Sequence, residues 1–151
     1  MAHTPVNHPA RPIYRAIGGL TGLYLVVFGV LGIIATAGND VLAQDDTRVL
    51  GQGTNLVFSL ISIVFGILVL AGTALGRNID VVINQFMAYV LMIVGLGGLA
   101  FIRTDANIFN FNVGTVIVLM VAGMLLLLVG MYGKVGTDEE KEAWQKARLV
   151  L

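Results

Sequence analysis

The chain has 151 residues, nine basic and nine acidic side chains, 57% hydrophobic residues and a mean hydropathy of +0.88. So apolar a composition excludes an ordinary soluble domain and points to the bilayer, while zero formal net charge gives nothing that attracts nucleic acid. With no cysteine, disulfides, thiolate metal sites and iron–sulfur clusters are excluded as well.

In chain order, the first segment is "MAHTPVNHPARP", which holds all three prolines and no helical period. Residues 1–15 are therefore expected to be an extended tail. A tail of this composition becomes ordered only by lying on something, and a partner subunit is the expected seat, with Arg11 and Tyr14 as docking residues. Its two histidines, His3 and His8, precede the first span, so they are poorly placed for haem ligation, and they would bind a metal only with ligands from elsewhere.

Charges at 11, 15, 40, 45, 46, 48, 77, 80, 103 and 105, then from 134 onward, leave four uncharged tracts at 16–39, 49–76, 81–102 and 106–133. Each exceeds the ~20 residues needed to cross a hydrocarbon core. Lipid offers no partner to free backbone groups, so each tract must be helical. The expected spans are 16–37, 55–76, 82–102 and 112–133. The expected fold is an all-α, integral-membrane, antiparallel four-helix bundle with a short helix after it. "ATAG" at 35–38 resembles a signal-peptidase site, but the apolar run before it is too long for a typical signal peptide, so the first span is expected to be retained.

"GGLTGLYLVVFGVLGIIATAG" at 18–38 holds six glycines. Helices in lipid have little hydrophobic drive to associate and rely on close contact, which small side chains permit. Gly22, Gly29 and Thr36 recur every seven residues, as do Ser59, Gly66 and Thr73. Ala88 with Gly95, and Gly123 with Gly130, repeat the interval. That spacing keeps small residues on one face of a left-handed crossing. Gly18, Gly22, Gly29, Ser59, Gly66, Gly95, Gly123 and Gly130 are accordingly expected to be helix-packing residues, with Gly18 and Gly22 also candidates to face another protein. A competing reading makes Gly18-Gly19 or Gly97-Gly98 the hinges of broken transporter helices.

The loop at 38–54 carries Asp40, Asp45 and Asp46 but lacks the alternating acids and closing Glu of a calcium loop. Asn55 opens the second span and Asn112 the fourth. With Asn107 and Asn110, Asn112 suits turns and helix caps. "NLVFSLISIVFGILVLAG" from Asn55 echoes "NVGTVIVLMVAGMLLLLVG" from Asn112, and "YLVVFGVLGIIA" from Tyr24 echoes "YVLMIVGLGGLA" from Tyr89. A duplicated helical hairpin and chance resemblance among few-letter helices both account for the echoes.

No ionisable residue falls inside the expected spans, so a proton relay or ion carrier has nothing to work with. The methionines read as packing filler rather than metal ligands. No Ser, His and acid come together as a hydrolase requires. No catalytic residue, cofactor, metal or small-molecule substrate is expected, and the chain is not expected to be an enzyme. At the C-terminus "GTDEEKEAWQKARLVL" opens with a capping box, Thr137 and Glu140, and predicts a helix over 138–149. Trp144, Ala147 and Leu151 form its thin apolar stripe, with Trp144 as a docking anchor.

Seven basic residues flank the ends of the spans on the side of the termini and two, Arg48 and Arg103, flank the other side. Both termini are therefore expected in the cytoplasm. "YRAIGGLTGLYLVVFGVLG" after a short basic tail, an Asn opening spans two and four, and a charged terminal helix together resemble a group of small four-span actinobacterial membrane proteins of unknown function. The likeness runs over roughly residues 10 to 135. Such proteins are similar to the accessory subunits of the actinobacterial cytochrome bcc-aa3 supercomplex. The resemblance implies an assembly role beside other integral membrane subunits and lipid in the plasma membrane, and it supplies no catalytic residue. A small oligomeric transporter or channel is the alternative.

Overall fold

The structure is a computed structural model and describes residues 5–148. His3 of the tail and the expected stripe residue Leu151 lie outside the described residues. Helix α1 spans Arg11–Ala35, α2 Leu56–Leu75, α3 Ile79–Phe101 and α4 Val113–Tyr132, and a surface helix α5 spans Asp138–Arg148. A two-residue antiparallel ribbon, β1 (Arg48–Val49) with β2 (Gln52–Gly53), folds the loop between α1 and α2. The protein is all-α, an antiparallel four-helix bundle, and α1 to α4 are each long and apolar enough to cross a membrane. These features make it a multi-pass membrane protein.

Two starts differ from the expected spans. Helix α1 begins at Arg11 rather than residue 16, so residues 11–15 are helical and not an extended tail. Pro12 sits in the first turn, where a missing N–H does no harm. Helix α3 begins at Ile79 rather than 82, directly after a turn in which Gly76, Arg77 and Asn78 all have positive φ. Each earlier start brings charge into a helix that the hydropathy boundary leaves outside.

Packing divides the bundle into two hairpins, α1 with α2 and α3 with α4, each joined across glycines. In the first, a Cβ on Gly29 would lie 2.5 Å from the Ser59 carbonyl oxygen, and one on Gly66 would lie 2.6 Å from the Gly22 carbonyl oxygen. In the second, a Cβ on Gly123 would lie 3.0 Å from the Ala88 carbonyl oxygen, one on Gly130 3.2 Å from that of Val81, and one on Gly95 3.2 Å from Leu119 Cβ. The backbones approach so closely that a side chain has no room, which is how small residues bring apolar helices together.

Gly18 and Gly22, candidates for an outward face, are buried within this bundle: a Cβ on Gly18 would meet Val129, Asn84 and Thr73. Helices α1 and α3 run unbroken through Gly18-Gly19 and Gly97-Gly98, so neither pair is a hinge. Gly98 instead lets Phe111 lie directly against α3.

Between the two hairpins Leu25, Phe28, Val69, Ala88, Leu91, Leu119 and Leu126 form a closed apolar layer, with Val69, Ala88 and Leu126 fully enclosed. Leu20, Val64, Ile93 and Val121 stand on the outside, more than half of each side chain exposed, as faces turned to lipid or to other helices would be.

Candidate functional site

Polar groups gather at the two ends of the bundle, and the ends are built differently. At the loop end, Asn55 caps α2: its side chain accepts from the Phe58 N–H at 3.0 Å and donates to the Ile108 carbonyl at 2.7 Å. Asn112 caps α4 in a reciprocal box with Thr115, whose hydroxyl also donates to the Gly53 carbonyl at 2.8 Å. Asn110 donates to the Thr54 carbonyl at 2.9 Å and to Asp45 at 3.2 Å. Ser59 donates to the Asn55 carbonyl at 2.7 Å and lies 2.9 Å from the Thr54 hydroxyl. Gln52 donates to the Tyr24 hydroxyl. Asn55 and Asn112 thus use both halves of the amide to fasten the loops to helix starts, as turn and cap residues do. Below them Phe28, Phe58, Phe109 and Phe111 form a chain of aromatic contacts with centroids 4.7–6.2 Å apart.

Asp45, in the loop outside the spans, is held below the ordinary carboxylate range, first by the hydrogen bonds from Thr47 and also by Asn110. It braces the loop.

At the end carrying both termini, the fastening is ionic. Asp80, in the first turn of α3, is 2% exposed, and one of its carboxylate oxygens is 3.3 Å from Arg11 Nη2 and 3.6 Å from Arg15 Nε. A carboxylate there suits the positive end of the helix dipole. Arg11 Nε donates to the Gly133 carbonyl at 2.8 Å, and Arg15 Nη2 donates to the Thr73 carbonyl. The cluster therefore joins α1, α2, α3 and the end of α4. Asn84, one turn deeper on α3, is buried, and its side-chain oxygen has no hydrogen-bond partner among the described residues.

Residues 5–10 of the tail lie against the chain itself. Asn7 donates to the Gly136 carbonyl at 2.8 Å and accepts from the Gly136 N–H at 3.1 Å, while its own N–H donates to the Lys134 carbonyl at 3.0 Å. Tyr14 stacks on Tyr132 with centroids 5.0 Å apart, and His8 meets both rings edge-on. Arg11 and Tyr14, expected to be docking residues, are thus engaged inside the molecule, because the linker after α4 folds back beside the start of α1.

Thr137 and Glu140 form the expected capping box of α5, each side chain accepting from the other's backbone N–H at 3.2 Å. Trp144 is half-buried beside Pro5, Val6, His8 and Lys141, around a cleft of about 560 Å³.

One signal went unread in the sequence. Asp80 and its arginines sit just outside the hydropathy boundaries, and their sequence separation of 65–69 residues leaves no periodic trace. The signal available was the single acid between spans two and three, opposite two basic residues one helical turn apart. Among the described residues, no three His, Asp or Glu side chains come together as a metal site would need. Set against family models, curated proteins and solved structures, the chain matches none of them.

Proposed function

We propose that this protein is a non-catalytic accessory or assembly subunit of a larger membrane complex, with the actinobacterial bcc-aa3 respiratory supercomplex as the host its sequence pattern favours. The observation that carries the reading is the closed layer of Leu25, Phe28, Val69, Ala88, Leu91, Leu119 and Leu126 between the two polar ends. It offers a permeating ion or proton no charged step, which weighs against the transporter alternative. What remains is a rigid body with broad apolar outer faces, suited to being wedged among other helices. The α5 face bearing Trp144 is the proposed anchor outside the bilayer. The charge bias puts both termini in the cytoplasm and the 36–55 loop on the other side of the plasma membrane.

The test is co-purification from native membranes in mild detergent with a tag expressed at the natural level. Stoichiometric recovery with larger membrane subunits is expected. Elution as a stable, monodisperse single species, or solute flux through vesicles containing this chain alone, overturns the assignment. Because the chain has no cysteine, single Asp46→Cys and Glu142→Cys variants also report sidedness with a membrane-impermeant thiol reagent. Labelling of Glu142→Cys in intact cells contradicts the orientation.

A further inference from the structure

Where α1 and α2 emerge at the end carrying the termini, a groove of about 620 Å³ runs between them, and its two halves differ in chemistry. Its mouth is Arg11 and Arg15, one helical turn apart. Its floor and sides are Ala16, Gly19, Leu20, Leu23 and Leu70. Both guanidiniums lean on the same Asp80 carboxylate, so two positive charges face one negative charge and the mouth keeps a net charge of +1. Arg11 is committed to Gly133 and Asp80. Arg15 Nε is buried 3.6 Å from Asp80, Nη2 donates one hydrogen bond to the Thr73 carbonyl, the remaining Nη donors have no partner among the described residues, and the side chain is 34% exposed. A guanidinium has five N–H donors in a planar fork. Most of Arg15's donors are therefore free for a ligand. The turn carrying exposed Arg77 abuts the same group, since a Cβ on Gly76 would lie 3.4 Å from Arg15 Nη2.

The apolar half opens sideways. Leu20 and Leu23 on its rim are 67% and 50% exposed, so the groove is reached from the lipid rather than from within the bundle. Arg11 to Leu23 is twelve residues of helix, about 18 Å along the membrane normal. Gly19 keeps the floor low: a Cβ there would have only Thr73 Cγ2 nearby, at 3.7 Å. A second groove, between α1 and α4, is of similar volume, about 580 Å³, but is lined by Ile17, Thr21, Tyr24, Ile117 and Val121 and has no charged side chain. It supplies an internal comparison.

We propose that the α1/α2 groove holds one anionic phospholipid, its phosphate on Arg15 with Arg11 beside it and one acyl chain lying along Gly19, Leu23 and Leu70. Three features point to this occupant rather than a protein segment. The groove opens to lipid, its charge is positive only at the headgroup level, and phosphate matches the guanidinium fork. The α1/α4 groove takes acyl chains without regard to headgroup. The site stands independently of the accessory-subunit reading, and either can fail alone.

The experiment uses the full chain in a neutral detergent, with phosphatidylglycerol or phosphatidylcholine of identical acyl chains. Bound lipid is counted by native mass spectrometry and the unfolding midpoint is followed in parallel. One equivalent of phosphatidylglycerol, retained about fivefold over phosphatidylcholine, is expected from one uncompensated cation. Arg15→Gln abolishes that preference. Gly19→Leu, which fills the groove and leaves every charge in place, removes the one headgroup-selective equivalent and provides the test if Arg15→Gln fails to fold. Arg103→Gln, at the opposite end, keeps the preference. Equal retention of the two lipids, equal stabilisation by inorganic phosphate alone, or occupation of the groove by a second copy of the chain overturns the proposal.

Discussion

The two ends of the bundle solve the same problem with different chemistry. At the loop end, neutral amides and hydroxyls from Asn55, Asn110, Asn112 and Thr115 meet backbone groups at ordinary hydrogen-bond distances. At the other end, one buried carboxylate is shared by two arginines, and Asn84 nearby leaves an oxygen unbonded. A neutral network that is fully paired is insensitive to its surroundings. A charged one gains strength from burial and fails badly when one member is removed. The termini end is thus the more responsive of the two, and it is also where the lipid groove opens.

The largest expected effect belongs to neither end and sets the scale for both. Gly66→Leu drives a side chain into the Gly22 carbonyl and the Val26 backbone, and is expected to cost at least ~3 kcal/mol or to abolish folded yield. A well-folded Gly66→Leu protein, judged by gel filtration in detergent, removes the close seam from the account.

Next comes the ionic end. Asp80→Leu leaves two cations without a counter-charge and is expected to cost about 2–3 kcal/mol, below the ~3–5 of a fully buried pair because both arginines reach solvent. At the loop end, Asn55→Leu removes a cap and orphans the Ile108 carbonyl, for about 1–2 kcal/mol. If chemical unfolding in mixed micelles ranks Asn55→Leu as the more damaging, the contrast between the ends is reversed. Asn84→Leu sharpens it in the other direction, since removing a buried amide whose oxygen has no partner among the described residues is expected to raise stability by about 1 kcal/mol.

The smallest effect is the pH response of Asp45. Its folded-state pKa is depressed, so its contribution is present above the ordinary Asp value and is lost only as acidification carries the pH down through the lowered one. Asp45→Asn is expected to flatten this acid limb in hydrogen exchange of the 39–54 loop.

The difference between the ends also explains what could be read in advance. The four spans are legible because uncharged tracts of bilayer length have one stable conformation in lipid. The sevenfold spacing of Gly22 and Gly29, and of Ser59 and Gly66, names the positions across which α1 and α2 meet, since helical periodicity is local. Asn112 with Thr115, and Thr137 with Glu140, are caps three residues apart, so they too are written locally. The Asp80 cluster is not, because it joins residues from all four helices or their ends and its members lie where hydropathy boundaries are least defined. Leu126 illustrates the remaining gap. Its sequence neighbourhood suggests that Leu126→Val is mild, but the side chain is fully enclosed between the hairpins, and the change is expected to leave a void worth about 1 kcal/mol. The exposed Leu128 is the better neutral control.

The bond between Asn7 and Gly136 carries a further implication for biogenesis. Asn7 is seated by a residue made 129 positions later. Residues 5–10 therefore stay unlatched until the last span and the linker after it have been made. Truncation after Tyr132 is expected to leave Pro5 to Ala10 open to protease, although every membrane crossing is already in place.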